Sequence, residues 1–332
     1  MEYLNIIANK LMSIAGILMI IFGTVGNILS IFVFTKWSYL RRGVNENNNN
    51  SRTNNSALYL LVSSWANLII ILFPLVTRVA FDGYGFLVAQ DTVLILCKFR
   101  YYVLFTFDLL SLGCICMALV DRYLISSKQV HLRQLTPTKR QTKQLIFLVT
   151  FLLALHSIPL LFYWDVTSKG ICRIFSPFYS NYFIFAFQII LHGIIPIGFL
   201  SVFGVLIYKQ LRMIKKQSSI NSNMNADKQA SCMILLTSIS AMLSSIPYSI
   251  EQTYYVVVGN DDFHQSSIVF LCHVISSILF YMNVVTSFYI YYFSTPNFRK
   301  EVHKLILCKK VDRHFTSINN QVVVSVSSNQ QK

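Results

Sequence analysis

Residues 93–124 read VLILCKFRYYVLFTFDLLSLGCICMALVDRYL, and this stretch decides the fold. A hydrocarbon core about 30 Å thick is crossed by roughly 20 apolar residues at 1.5 Å per helical residue. The stretch is long enough, and apolar apart from Lys98, Arg100, Asp108 and the closing Asp121-Arg122. Six uncharged runs of similar length flank it, between Lys10 and Lys36, Arg52 and Arg78, Lys143 and Asp165, Arg173 and Lys209, Lys228 and Glu251, and Asp262 and Arg299. Seven spans follow. Nothing alternates over about ten residues as the strands of a membrane barrel do, so the fold class is an all-α membrane protein, a seven-transmembrane helix bundle.

Composition agrees. Of 332 residues, 54% are hydrophobic and only 12% charged, with a mean hydropathy of +0.54, whereas soluble domains carry about a quarter charged residues. A soluble enzyme is excluded first. Lys and Arg outnumber Asp and Glu 28 to 13, and 22 of the 28 lie after the first, third, fifth and seventh spans. Positive segments stay in the cytoplasm; the amino terminus is therefore expected outside and the carboxyl terminus in the cytoplasm of a multi-pass plasma-membrane protein. The net charge of +15 reports this topology and adjacent anionic membrane lipid. A nucleic-acid partner is not expected, because its basic clusters would sit on a soluble fold. The first span is too long for a signal-peptide core and lacks a basic start, so it reads as a retained anchor. Asn49 and Asn54 begin glycosylation sequons in an Asn-rich tract, but this topology puts both on the cytoplasmic side.

Asp121-Arg122-Tyr123 closes the third span at its cytoplasmic end, and Cys97 begins it at the other. Cys172 follows the fourth span, on the same oxidising side as Cys97, where disulfides persist. Gly23, Gly26 and Asn27 lie in span one, and Pro159, Pro196 and Pro247 inside spans four, five and six, where membranes tolerate helix breakers. Together these features resemble the rhodopsin-like (class A) G-protein-coupled receptors over about residues 10–308, closest in character to the invertebrate neuropeptide-receptor branch. The resemblance implies a Cys97–Cys172 disulfide, and coupling to a heterotrimeric G protein through Asp121, Arg122, Tyr123 and Tyr291. It implies that Asp227, twenty residues before Pro247, holds Arg122 at rest; a solvated charge in a polar loop is the plainer reading of Asp227. Phe298, Val302, Leu305 and Ile306 fall on one stripe beside Arg299, Lys300 and Lys304, an amphipathic eighth helix lying in the interface. Cys308 at its end is either a palmitoylation site or a free thiol. Residues 1–10 are then an outer segment, 11–308 the receptor domain, and 309–332 a disordered cytoplasmic tail whose Ser and Thr residues would serve a receptor kinase and an arrestin.

The pattern is incomplete. Asn67 stands where the family carries an acid in span two, Ser245 at the span-six Trp, Gly204 at a span-five Tyr, and Ser287-Phe288 at the span-seven Asn-Pro. Asn27, Ser111 and Asn283 keep some polar lining, but a neutral amide at Asn67 cannot neutralise the sodium ion that the family's carboxylate binds. A receptor fold with lost or atypical coupling is therefore a variant of the same reading.

Leu104 stands where amine receptors carry their Asp, and Tyr281 where opsins carry their retinal Lys; neither ligand class fits, and no cofactor or metal site is expected. What remains is mostly polar: Arg100, Leu104, Asp108 and Ser111, at spacings of 4, 4 and 3, share one helix face, with Arg78, His192, Glu251, Gln252 and Tyr281 at similar depth. Ionisable groups within a span cost roughly 2.5–3.5 kcal/mol each on insertion scales, so they face partners or a water-filled cavity. They form either an internal ion-pair network or a pocket for an extracellular ligand. Both charge signs and the missing amine anchor favour a peptide; a small polar chemosensory ligand is the alternative. A seven-span transporter would need a charged path across the midplane, which is not seen, and no enzymatic motif is present.

Overall fold

In the computed structural model the described residues are 2–40, 55–84, 90–127, 129–166, 172–217, 222–258 and 267–307. Seven helical spans are long and apolar enough to cross a membrane: Tyr3–Ser38, Asn55–Gly83, Leu94–Ser126, Lys139–Tyr163, Pro177–Gln210, Ser231–Tyr254 and Ser267–Ser294. The first helix already begins at Glu2, running through the residues that the sequence reading assigns to an outer segment. An eighth helix, Pro296–Ile306, follows the seventh span. The seven-helix bundle expected from hydropathy is the observed fold.

The third span is the axis. It packs against the second and fifth and also touches the fourth and sixth, while the first span lies between the second and seventh. Span four is peripheral, with Phe147 and Phe151 exposed to what is lipid in a membrane. Its start is fixed locally: the Thr138 hydroxyl accepts from the Gln141 backbone N–H, and the Thr138 N–H donates to Gln141 Oε1 at 2.9 Å. That reciprocal cap satisfies amides that the first helical turn leaves unpaired.

Two spans are locally widened to i→i+5 turns. In span two this occurs at Ile71–Leu75, around Pro74, and again at Val79–Gly83; a proline removes one N–H and crowds the preceding carbonyls. In span five it covers Phe183–Ile194, just before Pro196. Span one meets span seven through glycine: a Cβ at Gly26 would lie 2.9 Å from Phe288 Cβ, and one at Gly23 would strike Ile71 and Val285. Phe288 thus packs on the bare backbone of Gly26.

At one end, strands β1 (Trp164–Val166) and β2 (Cys172–Ile174) form an antiparallel hairpin with Val166 opposite Cys172. Cys172 is bonded to Cys97 of span three, with a Cα–Cα distance of 5.9 Å. Beneath it Tyr101, Phe105, Trp164, Tyr179, Phe183 and Phe187 form an aromatic cluster. At the opposite end Phe34, Tyr291 and Phe298 meet at 5.4–5.7 Å between ring centres, docking the eighth helix. Phe298 and Val302 are buried there and Leu305 packs beside them, while Ile306 stays exposed. Lys36 Nζ, at the end of span one, lies 2.5 Å from Glu301, which Lys304 also contacts at 3.1 Å. Burial pushes the Glu301 carboxyl up, but its hydrogen bonds and attraction to Lys36 and Lys304 outweigh this and hold it below the usual carboxylate range.

Candidate functional site

Between the disulfide end and the bundle centre, the ionisable residues named above fall into two groups. The larger joins spans two, six and seven. Arg78 Nε lies 2.6 Å from Asp82 Oδ2, one helical turn on. Arg78 Nη2 donates to Ser277 Oγ at 2.8 Å and meets His273 Nε2 closely. His273 Nδ1 lies 2.8 Å from Glu251 Oε1, and Gln252 Nε2 donates to Glu251 Oε2 at 3.1 Å. A guanidinium has only donors, so His273 Nε2 is the acceptor and Nδ1–H the donor to Glu251. The imidazole is then a neutral link between a cation and an anion. Tyr281, 2% exposed, lies within electrostatic reach of Arg78 and Arg100, and Leu104 packs in the same apolar cluster as Tyr281 and Tyr248.

Arg100 is different. It is 8% exposed, its guanidinium carbon sits 4.8 Å from the Tyr101 ring centre, and Nη2 donates to the Tyr101 hydroxyl at 3.2 Å. Among the described residues no carboxylate pairs with it within 4.0 Å. One buried cation in this region is neutralised by an adjacent acid; the other is held by an aromatic ring and a phenol.

The second group lies between spans three and five. His192 Nε2 is 3.2 Å from Asp108 Oδ2, and His192 Nδ1 is 3.2 Å from the Phe187 carbonyl oxygen. A carbonyl only accepts, so Nδ1 carries a hydrogen; Nε2, although close to Asp108, makes no hydrogen bond among the described residues. The four residues at spacings of 4, 4 and 3 do not act on one neighbour. At 3.6 residues per turn, Asp108 lies about 80° around the helix from Arg100, toward span five. Ser111 instead donates to Asn67 Oδ1 at 2.7 Å and contacts Ser63 Oγ at 2.8 Å, on span two. Asn67 is thus satisfied by a serine in the middle of the bundle. Asn27 Nδ2 donates to the carbonyls of Gly23 and Val284.

At the other end Asp121 and Arg122 are 2% and 5% exposed. Asp121 Oδ2 accepts from the Ser56 backbone N–H at 3.0 Å and from its hydroxyl at 2.5 Å, and Asn55 Nδ2 reaches both Asp121 Oδ1 and the Pro137 carbonyl. The carboxylate therefore closes the first turn of span two, where unpaired amides and the helix dipole favour an anion. Tyr123 packs edge-on to Phe203 at 5.6 Å. Tyr291 is buried against Phe34 and Phe298. The Asp227 side chain, Cys308 and the tail lie outside the described residues.

Sequence reasoning brought Arg78, Glu251, Gln252 and Tyr281 toward one place, but missed the residue that joins them. His273 is an ionisable group in an apolar span, and the cost of such groups in a membrane was the signal that marks it. Asp82, one turn after Arg78, carried the i,i+4 signal of a charge pair. Nothing in the sequence marked Ser56 and Asn55 as partners of Asp121. Among the described residues no group of three or more His, Cys, Asp or Glu is placed to hold a metal ion.

No curated protein matches the chain. Residues 26–291 match the family described as 7 transmembrane receptor (rhodopsin family), a match that spans most of the bundle from Gly26 to the buried Tyr291. With that match and the seven-span fold that carries it, the chain belongs to the rhodopsin family of seven-transmembrane receptors, as multi-pass membrane proteins with a receptor's role in signalling.

Proposed function

We propose that the chain is a receptor for an extracellular peptide, binding it at the disulfide end of the bundle and activating a heterotrimeric G protein at the other. The observation that carries the ligand class is Arg100. A buried guanidinium with five donors, one of them spent on a phenol, is suited to a bidentate anionic group, and a peptide's terminal or side-chain carboxylate supplies one. Arg78 cannot play that part without releasing Asp82. Leu104, Gln252 and Tyr281 supply apolar and hydrogen-bonding contacts around it, and the Asp108–His192 pair offers a second polar contact near the pocket floor.

In this reading the disulfide end is extracellular and the Arg122 end cytoplasmic, in keeping with the distribution of Lys and Arg. Ligand binding shifts the population toward an open cytoplasmic face, where Arg122 contacts the G protein, with Asp227 its resting restraint. Cys308 is a lipid anchor, and the tail receives a receptor kinase and an arrestin. A library of peptides with free and amidated carboxyl termini, screened on expressing cells by G-protein dissociation, tests the ligand class. Hits carrying a carboxylate, with potency lost in Arg100→Gln at unchanged surface expression, are expected; hits confined to cations or uncharged small molecules would overturn it.

A further inference from the structure

Asp108 is surrounded unlike the other buried or half-buried acids of the bundle. Asp82 has Arg78, Asp121 has Ser56 and Asn55, Glu251 has His273 and Gln252, and Glu301 has Lys36 and Lys304. Each of those carboxylates is met by a cation or by a hydrogen-bond donor. Asp108, equally buried, receives no hydrogen bond among the described residues. Its close polar neighbour is His192 Nε2 at 3.2 Å, and the two make no hydrogen bond with each other.

The imidazole is held in a way that does not supply the missing donor. Its Nδ1–H is spent on the Phe187 carbonyl. Phe105 packs edge-on to the ring at 5.5 Å and Phe187 stacks on it at 5.4 Å, which fixes its plane. In the neutral ring Nε2 is then an acceptor, and it stands beside Asp108 Oδ2, which is another. Two acceptors, one of them anionic, converge where the protein places no donor. An ionised carboxylate taken out of water is stable only when paired. The partner that fits this pair is a cation with several N–H groups: an ammonium has three and a guanidinium five. A hydroxyl, with one hydrogen, serves one acceptor and leaves the charge unmet.

The pair is reached from inside the bundle. Span three is the axis, with spans two, four, five and six packed around it, yet the Asp108 side chain keeps 11% exposure. That opening lies among the helices. Arg100 stands two turns nearer the disulfide, about 12 Å along the same helix. An extended peptide covers this distance in three or four residues, at about 3.3–3.6 Å each.

We infer that Asp108 and His192 form a second ligand subsite, which takes an ammonium or guanidinium group. An active peptide then carries a basic group within about four residues of the carboxylate that Arg100 holds, and the basic end enters first. This rests on the reading of the disulfide end as a peptide pocket, and it adds a charge requirement to it.

The test uses the full chain in cells, read by G-protein dissociation, and a library of pentapeptides bearing a free carboxyl terminus or a Glu. Each basic peptide is paired with its neutral counterpart: citrulline for Arg, norleucine for Lys, or an acetylated for a free amino terminus. Among hits that need Arg100, neutralising one basic group should cut potency at least tenfold in the wild type; the pair that responds tells a side chain from the terminal amine. Asp108→Asn, at equal surface expression, should cut the basic peptide's potency at least tenfold and its neutral counterpart's less than threefold, while Asp108→Glu should keep the preference for the basic form. His192→Phe, which keeps the ring packing and loses the acceptor, should weaken that preference about threefold. Hits that need Arg100 but are indifferent to neutralisation in the wild type, the result expected if a proton fills the pair, would overturn this inference alone. Equal losses for both peptides in Asp108→Asn would do the same. No hit that needs Arg100 would overturn the proposed ligand class and this inference together.

Discussion

Replacing His273 by alanine tests whether the network linking spans two, six and seven is a working connection. The imidazole is the link between Arg78 and Glu251. Without it Glu251, whose side chain is 10% exposed, keeps only Gln252 at 3.1 Å and a long contact from Ser276 at 3.5 Å. Arg78 retains Asp82 and Ser277, so the loss falls mainly on the carboxylate. Hydrogen bonds to charged groups contribute about 1.5–3 kcal/mol each, and stranding one member of a buried pair costs about 3–5 kcal/mol. With Arg78 still paired, the lower part of that range, about 3 kcal/mol, is expected, roughly two decades in the folded-to-unfolded ratio. His273→Asn should recover about half: its amide restores a donor toward Glu251 but not the acceptor that Arg78 uses. The assay is equilibrium unfolding of the purified receptor in mixed detergent, with surface expression alongside. A His273→Ala receptor within 0.5 kcal/mol of wild type by that assay (about the noise of such measurements) would refute the connection.

Three further outcomes are expected. Asp121→Ala should destabilise the receptor by about 2–4 kcal/mol, because it uncaps span two and frees Asn55 together; hydrogen exchange should rise first at residues 55–60, and unchanged protection there would contradict the capping role. Gly26→Ala should cost about 1–3 kcal/mol through overpacking against Phe288, and Phe288→Ala should relieve part of that cost in the double variant; additive losses would mean that the two sites are independent. Because the Glu301 carboxyl is held below its ordinary value, the stability it contributes is complete above about pH 4.3 and is lost as pH falls through the lowered value. Melting curves of the purified receptor should show this acid loss in wild type and a smaller one in Lys36→Gln, a difference of about 1 kcal/mol for a partly exposed pair.

The architecture was legible because it rests on one-dimensional quantities, the length of apolar runs and the placement of Lys and Arg between them. The same holds for the eighth helix, where the stripe through Phe298 and Val302 turns inward. The site was legible only in part. Ionisable residues inside spans are costly enough to stand out singly, yet their partners are set by helix rotation and by which spans adjoin, which spacing along one helix does not give. Asp108 turns to span five while Ser111 turns to span two. Asp121, read with Arg122 and Tyr123 as one triplet, also closes the start of another span.

The measurement that tests the central claim most directly is nucleotide exchange on a purified heterotrimeric G protein by the receptor in nanodiscs, with and without a peptide agonist. The wild-type receptor should accelerate exchange when agonist is present, and Arg122→Ala should bind the same agonist with unchanged affinity while accelerating nothing. Exchange that is indifferent to agonist, or unchanged in Arg122→Ala, would contradict the account.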